Sequence, residues 1–388
     1  IAEIEEAVVI ADPEAHFRRN LDALVDALND TGGLGPAGRE MAHRSLVGRG
    51  VDRVAGCKWL SNHPAIADEH VEAPVIMTGL PRSGTTYFQY LMDRDPRFRL
   101  VRTWEAIMPD PPPGHDPASV AARKAKEREI NAMIAPKIKG FDALHLIDED
   151  GPQECHVFME QSWAAAGFMN LHDVPAYFDF LMDALDLEAA YRAHRRQIQL
   201  LQWKCPKQRW ALKYPNHVIG MDDILRVYPD ATFVMTHRDP VQVLPSIAKM
   251  SLTLRTARQE KAPDPHRIGA QMLDFVRRHI DRIMAFCTGP HANRVVHVDY
   301  YRLVDDPARV MAEIHAGIGT DTPDEVRDDI TRWRTANPKG RRGENPYSLE
   351  QFGLSEDVAR ELFADYIAHF DIPTEAEGVV RNTRKERQ

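Results

Sequence analysis

Apolar and polar positions follow two periods along this chain, and the switches between them outline the elements. From Phe17 to Ala67 apolar residues recur at helical spacing, with a glycine-rich turn at Gly32–Gly38. Pro74-Val75-Ile76-Met77-Thr78-Gly79 is instead a short continuous apolar run, the pattern of a buried strand. A helix is predicted from Thr85 to Asp93, stopped by Pro96. The proline-rich break Pro109–Pro113 leads to a charged helix from Pro117 to about Lys139. Two more helices are expected at Val174–Leu185 and Leu187–Trp203. Further strands are predicted at Arg209–Lys213, Ala231–Thr236 and Arg294–Val298. The helices after them end near Tyr228, open after Asp239, and start near Pro307. Such alternation predicts an α/β fold, a parallel sheet flanked by helices on both faces. No linker divides the chain. Residues 1–388 read as one domain, with residues 1–72 a helical extension packed onto the same sheet.

Composition narrows the classes. The chain has 388 residues, 43% of them hydrophobic, which is enough for a sizeable core. Its formal charge is 49 − 58 = −9. An acidic chain repels a phosphate backbone, so no nucleic-acid partner is expected and any anion site must be a local exception. Cys57, Cys155, Cys205 and Cys287 are widely spaced and include no C-x-x-C pair, as expected of reduced thiols in a cytoplasmic protein. No apolar run reaches transmembrane length. The stretch Ile1–Ile10 carries three glutamates and no basic residue, unlike a signal peptide. No metal-ligand motif such as H-E-x-x-H is present, and none of the sequence features sets an oligomeric state.

The chemistry concentrates in Gly79-Leu80-Pro81-Arg82-Ser83-Gly84-Thr85-Thr86, between a predicted strand and a predicted helix. Backbone N–H groups of such a turn have no intrahelical partners and converge on one point, where an anion gains hydrogen bonds and the favourable end of the helix dipole. The spacing is that of a P-loop, but Thr85 stands where the nucleotide-triphosphate lysine belongs, and the cation is Arg82 inside the loop. This gives the fold class its sharper form, a P-loop-type parallel sheet. The bland alternative is an ordinary turn with a capping Ser or Thr.

Pro81-Arg82-Ser83-Gly84-Thr85-Thr86 resembles the 5′-phosphosulfate loop of sulfotransferases that use 3′-phosphoadenosine 5′-phosphosulfate (PAPS), in the arginine form similar to tyrosylprotein sulfotransferases and many bacterial relatives. The resemblance implies that Arg238, in Thr236-His237-Arg238-Asp239-Pro240, and Ser246 hold the 3′-phosphate. It implies that Lys339-Gly340-Arg341-Arg342-Gly343 closes over that phosphate, and that Tyr300 lies near the adenine. Tyr301 and Arg302 replace the acidic pair that usually follows this tyrosine, so that match is partial. The implied activity is transfer of a sulfuryl group to a hydroxyl or amine of a small-molecule, lipid or glycan acceptor, with release of adenosine 3′,5′-bisphosphate (PAP). The scheme requires no metal.

A general base should face the phosphate loop. Glu105, in Arg102-Thr103-Trp104-Glu105, is the first candidate, and His217, at the carboxyl end of a predicted strand, is the second named. His145, Glu154 and His156 are further candidates. The aromatic stretch from Trp163 through Phe168, Met169, Tyr177, Phe178, Phe180 and Met182 is either an acceptor pocket or plain core. Two other functions stay open: a P-loop kinase or NTPase with an altered loop, and a non-catalytic PAP-binding protein.

Overall fold

The computed structural model describes residues 16–134, 150–337 and 348–377. Five strands, β1 (Val75–Gly79), β2 (Phe98–Arg99), β3 (Arg209–Lys213), β4 (Thr232–His237) and β5 (Val295–Asp299), form one sheet in the order β2-β3-β1-β4-β5. Every neighbouring pair is parallel. The predicted strands lie within a residue of their places. The two-residue β2 is additional, too short to leave a periodic signal.

Side-chain alternation divides the core between the two faces. Val75, Met77, Ala211 and Val234 join Phe88, Leu91, Leu303 and Met311 in one apolar cluster. Ile76, Leu212, Phe233 and Met235 join Tyr177, Phe275 and Ile283 in the other. A strand buried on both sides must be apolar at every position, which explains the unbroken run Val75–Met77. In β1 all five residues are buried, so it is the central strand from which the functional loop springs.

Of the N-terminal helices, His16–Asp30 joins the second core through Phe17, Leu24 and Ala27, and Pro36–Asn62 packs against it through Leu46. The first packs against the helix Pro175–Asp183 and the second against the helix Leu187–Gln202. Asn20 Nδ2 donates to the Ser162 carbonyl at 3.0 Å, and the Arg53 guanidinium sits 3.4 Å above the Phe17 ring. Among the described residues no helix is long and apolar enough to cross a membrane. All four cysteines are free thiols.

Candidate active site

The loop at the end of β1 is shaped by left-handed backbone. Gly79 has φ +141°, Arg82 +70° and Gly84 +88°. At Gly79 a Cβ would stand 2.5 Å from the Thr236 carbonyl oxygen, so only glycine lets β1 leave the sheet beside β4. At Gly84 a Cβ would stand 2.5 Å from the Tyr300 ring. A non-glycine residue at positive φ costs of the order of 1–2 kcal/mol, and Arg82 holds that conformation inside the loop. Ser83 is fully buried and locks the turn: its Oγ lies 2.6 Å from the Leu80 carbonyl oxygen and 2.7 Å from Thr236 Oγ1. Gly84 then caps the helix Thr85–Met92 with no side-chain cap, which leaves its first amides to the loop's concavity. Pro81 and Thr85 are buried and Thr86 is exposed.

One flank of the loop is cationic and comes from β4. Arg82 Nε donates to Ser246 Oγ at 3.1 Å, although the two are 164 residues apart. Arg238 Nη1 donates to the Arg82 carbonyl at 3.1 Å, and the Arg238 guanidinium lies 4.6 Å from the Tyr300 ring centre. Asp239 Oδ1 accepts from the Val241 amide at 3.0 Å and starts the helix Pro240–Thr256, which continues through Pro245 and carries Ser246 toward the loop. Arg82, Arg238, Ser246, Gly84 and Tyr300 therefore meet in one cluster.

The other flank comes from β3. Lys213 ends that strand with a fully buried side chain. Its Nζ donates to Thr86 Oγ1 at 3.3 Å and pairs with Glu154 Oε1. Burial pushes the Lys213 pKa down, while the Glu154 carboxylate opposes that shift. Glu154 is placed by backbone pairing on both sides: the Gln153 amide donates to the Val101 carbonyl at 2.8 Å, and the Cys155 amide to the Lys213 carbonyl at 2.8 Å. His156 Nδ1 stands 3.7 Å from Glu154 Oε2, with the imidazole part-exposed. The carboxylate thus lies between an ammonium at the loop and an imidazole beyond it.

A profile of the sulfotransferase family matches residues 74–324, more than half of the chain. The chain belongs to that family. Solved structures similar to it include sulfotransferase STF9 from Mycobacterium avium, at TM-score 0.86 and 26% identity over 96% of this chain and 97% of that one. Sulfotransferase STF1 from Mycobacterium tuberculosis matches at TM-score 0.77 and 27% identity, over 93% of this chain and 98% of that one. No curated protein sequence matches the chain. The matched segment opens one residue before β1 and so contains the loop, both flanking strands and the Glu154–His156 segment.

In this sulfotransferase several residues singled out from sequence have other occupations. Glu105 is buried with both oxygens engaged: Oε1 accepts from Arg99 Nη2 at 2.9 Å, and Oε2 from the Arg102 amide at 3.0 Å. It closes the first turn of the helix Thr103–Ile107 and neutralises a buried guanidinium that stacks on Trp210. His217 is buried in the 3-10 turn Pro215–Gly220, its Nδ1 3.0 Å from Tyr191 Oη, and burial drives its pKa well below the usual imidazole value. Neither geometry suits a base that must meet an acceptor. The stretch from Trp163 to Met182 is core: Trp163, Phe168, Met169, Tyr177, Phe178 and Met182 are all buried, and Phe180 is partly so. Lys339, Gly340, Arg341, Arg342 and Gly343, with His145, lie outside the described residues.

Sequence reasoning missed Lys213 as a functional residue. Its signal was a lysine closing an otherwise apolar strand, Arg209-Trp210-Ala211-Leu212-Lys213, next to the loop-bearing strand. A buried cation at a strand tip needs a partner or an anion, and that alone could have flagged it.

Proposed function

We propose that this enzyme transfers a sulfuryl group from PAPS to a hydroxyl, or an amine, of a small-molecule, lipid or glycan acceptor and releases PAP. The observation that carries the reading is the placement of cations on both flanks of a phosphate loop that lacks the triphosphate lysine. Arg82, Arg238 and Ser246 stand on one side and Lys213 on the other. The residues fit a doubly anionic nucleotide: the loop amides with Arg82, Thr85 and Thr86 suit a 5′-phosphosulfate, and Arg238 with Ser246 suits a 3′-phosphate. Tyr300, packed over Gly84 and under Arg238, offers a π-face beside both.

In the reaction the acceptor oxygen bonds to sulfur as the sulfur–oxygen bond to the nucleotide phosphate breaks, and charge grows on the departing oxygen. Arg82 and Lys213 are the cations placed to meet that charge, and the loop amides add preorganised donors. The acceptor proton passes to a base in the Glu154–His156 segment. The Glu154 carboxylate lies 3.7 Å from Nδ1 of the part-exposed His156 imidazole, and this pair takes the place of Glu105 and His217 in that role. Lys213 pairs with Glu154 and joins the base side to the loop side through Thr86.

An NTPase reading is disfavoured by the tips of the strands beside β1. These carry Lys213 and His237, and Asp239, two residues beyond the second of them, serves as a helix cap. Thermal shift separates the alternatives. PAP should raise the melting temperature by several degrees and ATP with magnesium should raise it far less. Equal shifts would overturn the 3′-phosphate site, and PAP binding with no transfer to any acceptor in a radiolabelled PAPS screen would favour a non-catalytic binder.

A further inference from the structure

Behind the Glu154–His156 segment lies a cluster that sulfuryl transfer does not use. Cys155, His194 and His217 are all buried, and one ligating atom of each stands within 4.8 Å of those of the other two. They come from separate parts of the chain: Cys155 between the two base-side residues, His194 from the helix Leu187–Gln202, and His217 from the turn after β3. Each imidazole is held at Nδ1 by a tyrosine hydroxyl, His194 by Tyr228 at 2.8 Å and His217 by Tyr191 at 3.0 Å. The opposite nitrogen, Nε2, is buried without a hydrogen-bond partner in both residues.

Two orphaned imidazole nitrogens beside a buried thiol are costly in an apolar interior unless something satisfies them. An outer hydrogen bond that fixes one ring nitrogen and leaves the other free is the arrangement found around metal-ligating histidines. A thiolate with two imidazoles selects a thiophilic ion rather than magnesium or calcium. With metal–nitrogen bonds of about 2.0–2.1 Å and metal–sulfur bonds of about 2.3 Å, ligand atoms in a first shell stand about 3.4–3.8 Å apart. The cluster needs to contract by about 1.4 Å at most, within the reach of small side-chain rotations.

We propose that Cys155, His194 and His217 form a site for a thiophilic transition-metal ion, Zn²⁺ or Cu⁺, with Tyr191 and Tyr228 as the groups that orient the histidines. Binding displaces the Cys155 thiol proton and forms one metal–sulfur and two metal–nitrogen bonds, with no change of oxidation state. The ion is structural. It ties the segment carrying Glu154 and His156 to the turn that follows Lys213, beside the existing bond from the Cys155 amide to the Lys213 carbonyl. It lies outside the transfer chemistry, so its failure and the failure of the PAPS reading are separable by PAP binding.

The test uses full-length protein expressed in media supplemented with zinc, copper or cobalt, then washed with a chelator and analysed for metal. About one ion per chain is expected, and the metal retained distinguishes Zn²⁺ from Cu⁺. The cobalt form should show a sulfur-to-cobalt charge-transfer band in the near ultraviolet. Cys155→Ser should abolish that band, and Tyr228→Phe should weaken metal retention by about 10- to 100-fold, the usual effect of losing an orienting partner. X-ray absorption of the wild-type protein, which needs no variant to fold, should report one sulfur and two imidazole nitrogens. Metal at well below one tenth per chain in all three preparations would overturn the proposal. So would a charge-transfer band that survives Cys155→Ser, or a first shell without sulfur.

Discussion

Replacing Lys213 by methionine tests the two-flank reading most directly. The side chain is fully buried and its ammonium joins Thr86 Oγ1 to Glu154. Methionine keeps the length and apolar stem and removes only the charge. Breaking a buried ion pair from one side costs about 3–5 kcal/mol. Glu154 retains 17% exposure, so water can rescue part of its lost partner and the loss should fall near about 3 kcal/mol. A domain with a stability of about 5–15 kcal/mol survives that. Lys213→Met combined with Glu154→Gln removes both charges and should recover most of the stability. The rate behaves differently. Loss of one preorganised donor at a developing oxyanion costs about 10²- to 10³-fold in kcat. PAP keeps the departed oxygen on its 5′-phosphate with its full charge, so Lys213→Met should weaken PAP binding as well as slow transfer. Urea denaturation, PAP titration and single-turnover transfer from labelled PAPS read the three quantities. A kcat within threefold of wild type would refute the role at the departing oxygen. A double variant no more stable than Lys213→Met would refute the ion-pair accounting.

Gly84→Ala places a methyl 2.5 Å from the Tyr300 ring at φ +88°, so PAP affinity should fall about 10-fold or more, and Tyr300→Ala in the same chain should restore part of it; unchanged affinity in calorimetry would contradict the packed loop. Glu105→Gln leaves Arg99 without its carboxylate and should cost about 2 kcal/mol or more of stability, while kcat of the folded enzyme changes little. The reverse outcome, a large kcat loss at unaltered melting temperature, would return Glu105 to the role of base. Burial raises the Asp52 pKa from 3.8 to about 6 despite Arg49 at 3.5 Å. A raised acid pKa means the folded state binds the proton more tightly, so the stabilisation is complete below about pH 3.8 and is lost as pH rises through about 6. Asp52→Asn should therefore stabilise the protein at pH 8 by up to about 3 kcal/mol, at 1.36 kcal/mol per pKa unit, and by progressively less toward pH 5. Equal melting temperatures of variant and wild type at pH 8 would remove that carboxyl from the account.

The sheet was legible because a strand buried on both faces has no choice but to be apolar throughout. β1, β3, β4 and β5 all announce themselves that way or through the helices that follow, whereas β2 is two residues long and follows no period. The loop was legible because its special backbone needs special residues: glycine at Gly79 and Gly84, where a side chain would strike Thr236 or Tyr300. That Arg238 and Ser246 stand beside the loop was expected only through the family resemblance. The base was not legible. Glu105 and Glu154 are both acids near aromatic residues, and the distinction between them is that Arg99 and the Arg102 amide occupy one, while Lys213 and His156 flank the other.

Local order along the chain determined which segments are strands and helices, where the anion-binding turn lies and which cation it carries, because steric and periodic rules act between near neighbours. The folded molecule alone decided that Arg82 meets Ser246, that Lys213 meets Thr86 and Glu154, and that Cys155 faces two distant histidines. Those encounters span from tens of residues to more than a hundred, and charge pairing, burial and the emptying of water from a cleft depend on distance in space, which no local pattern encodes.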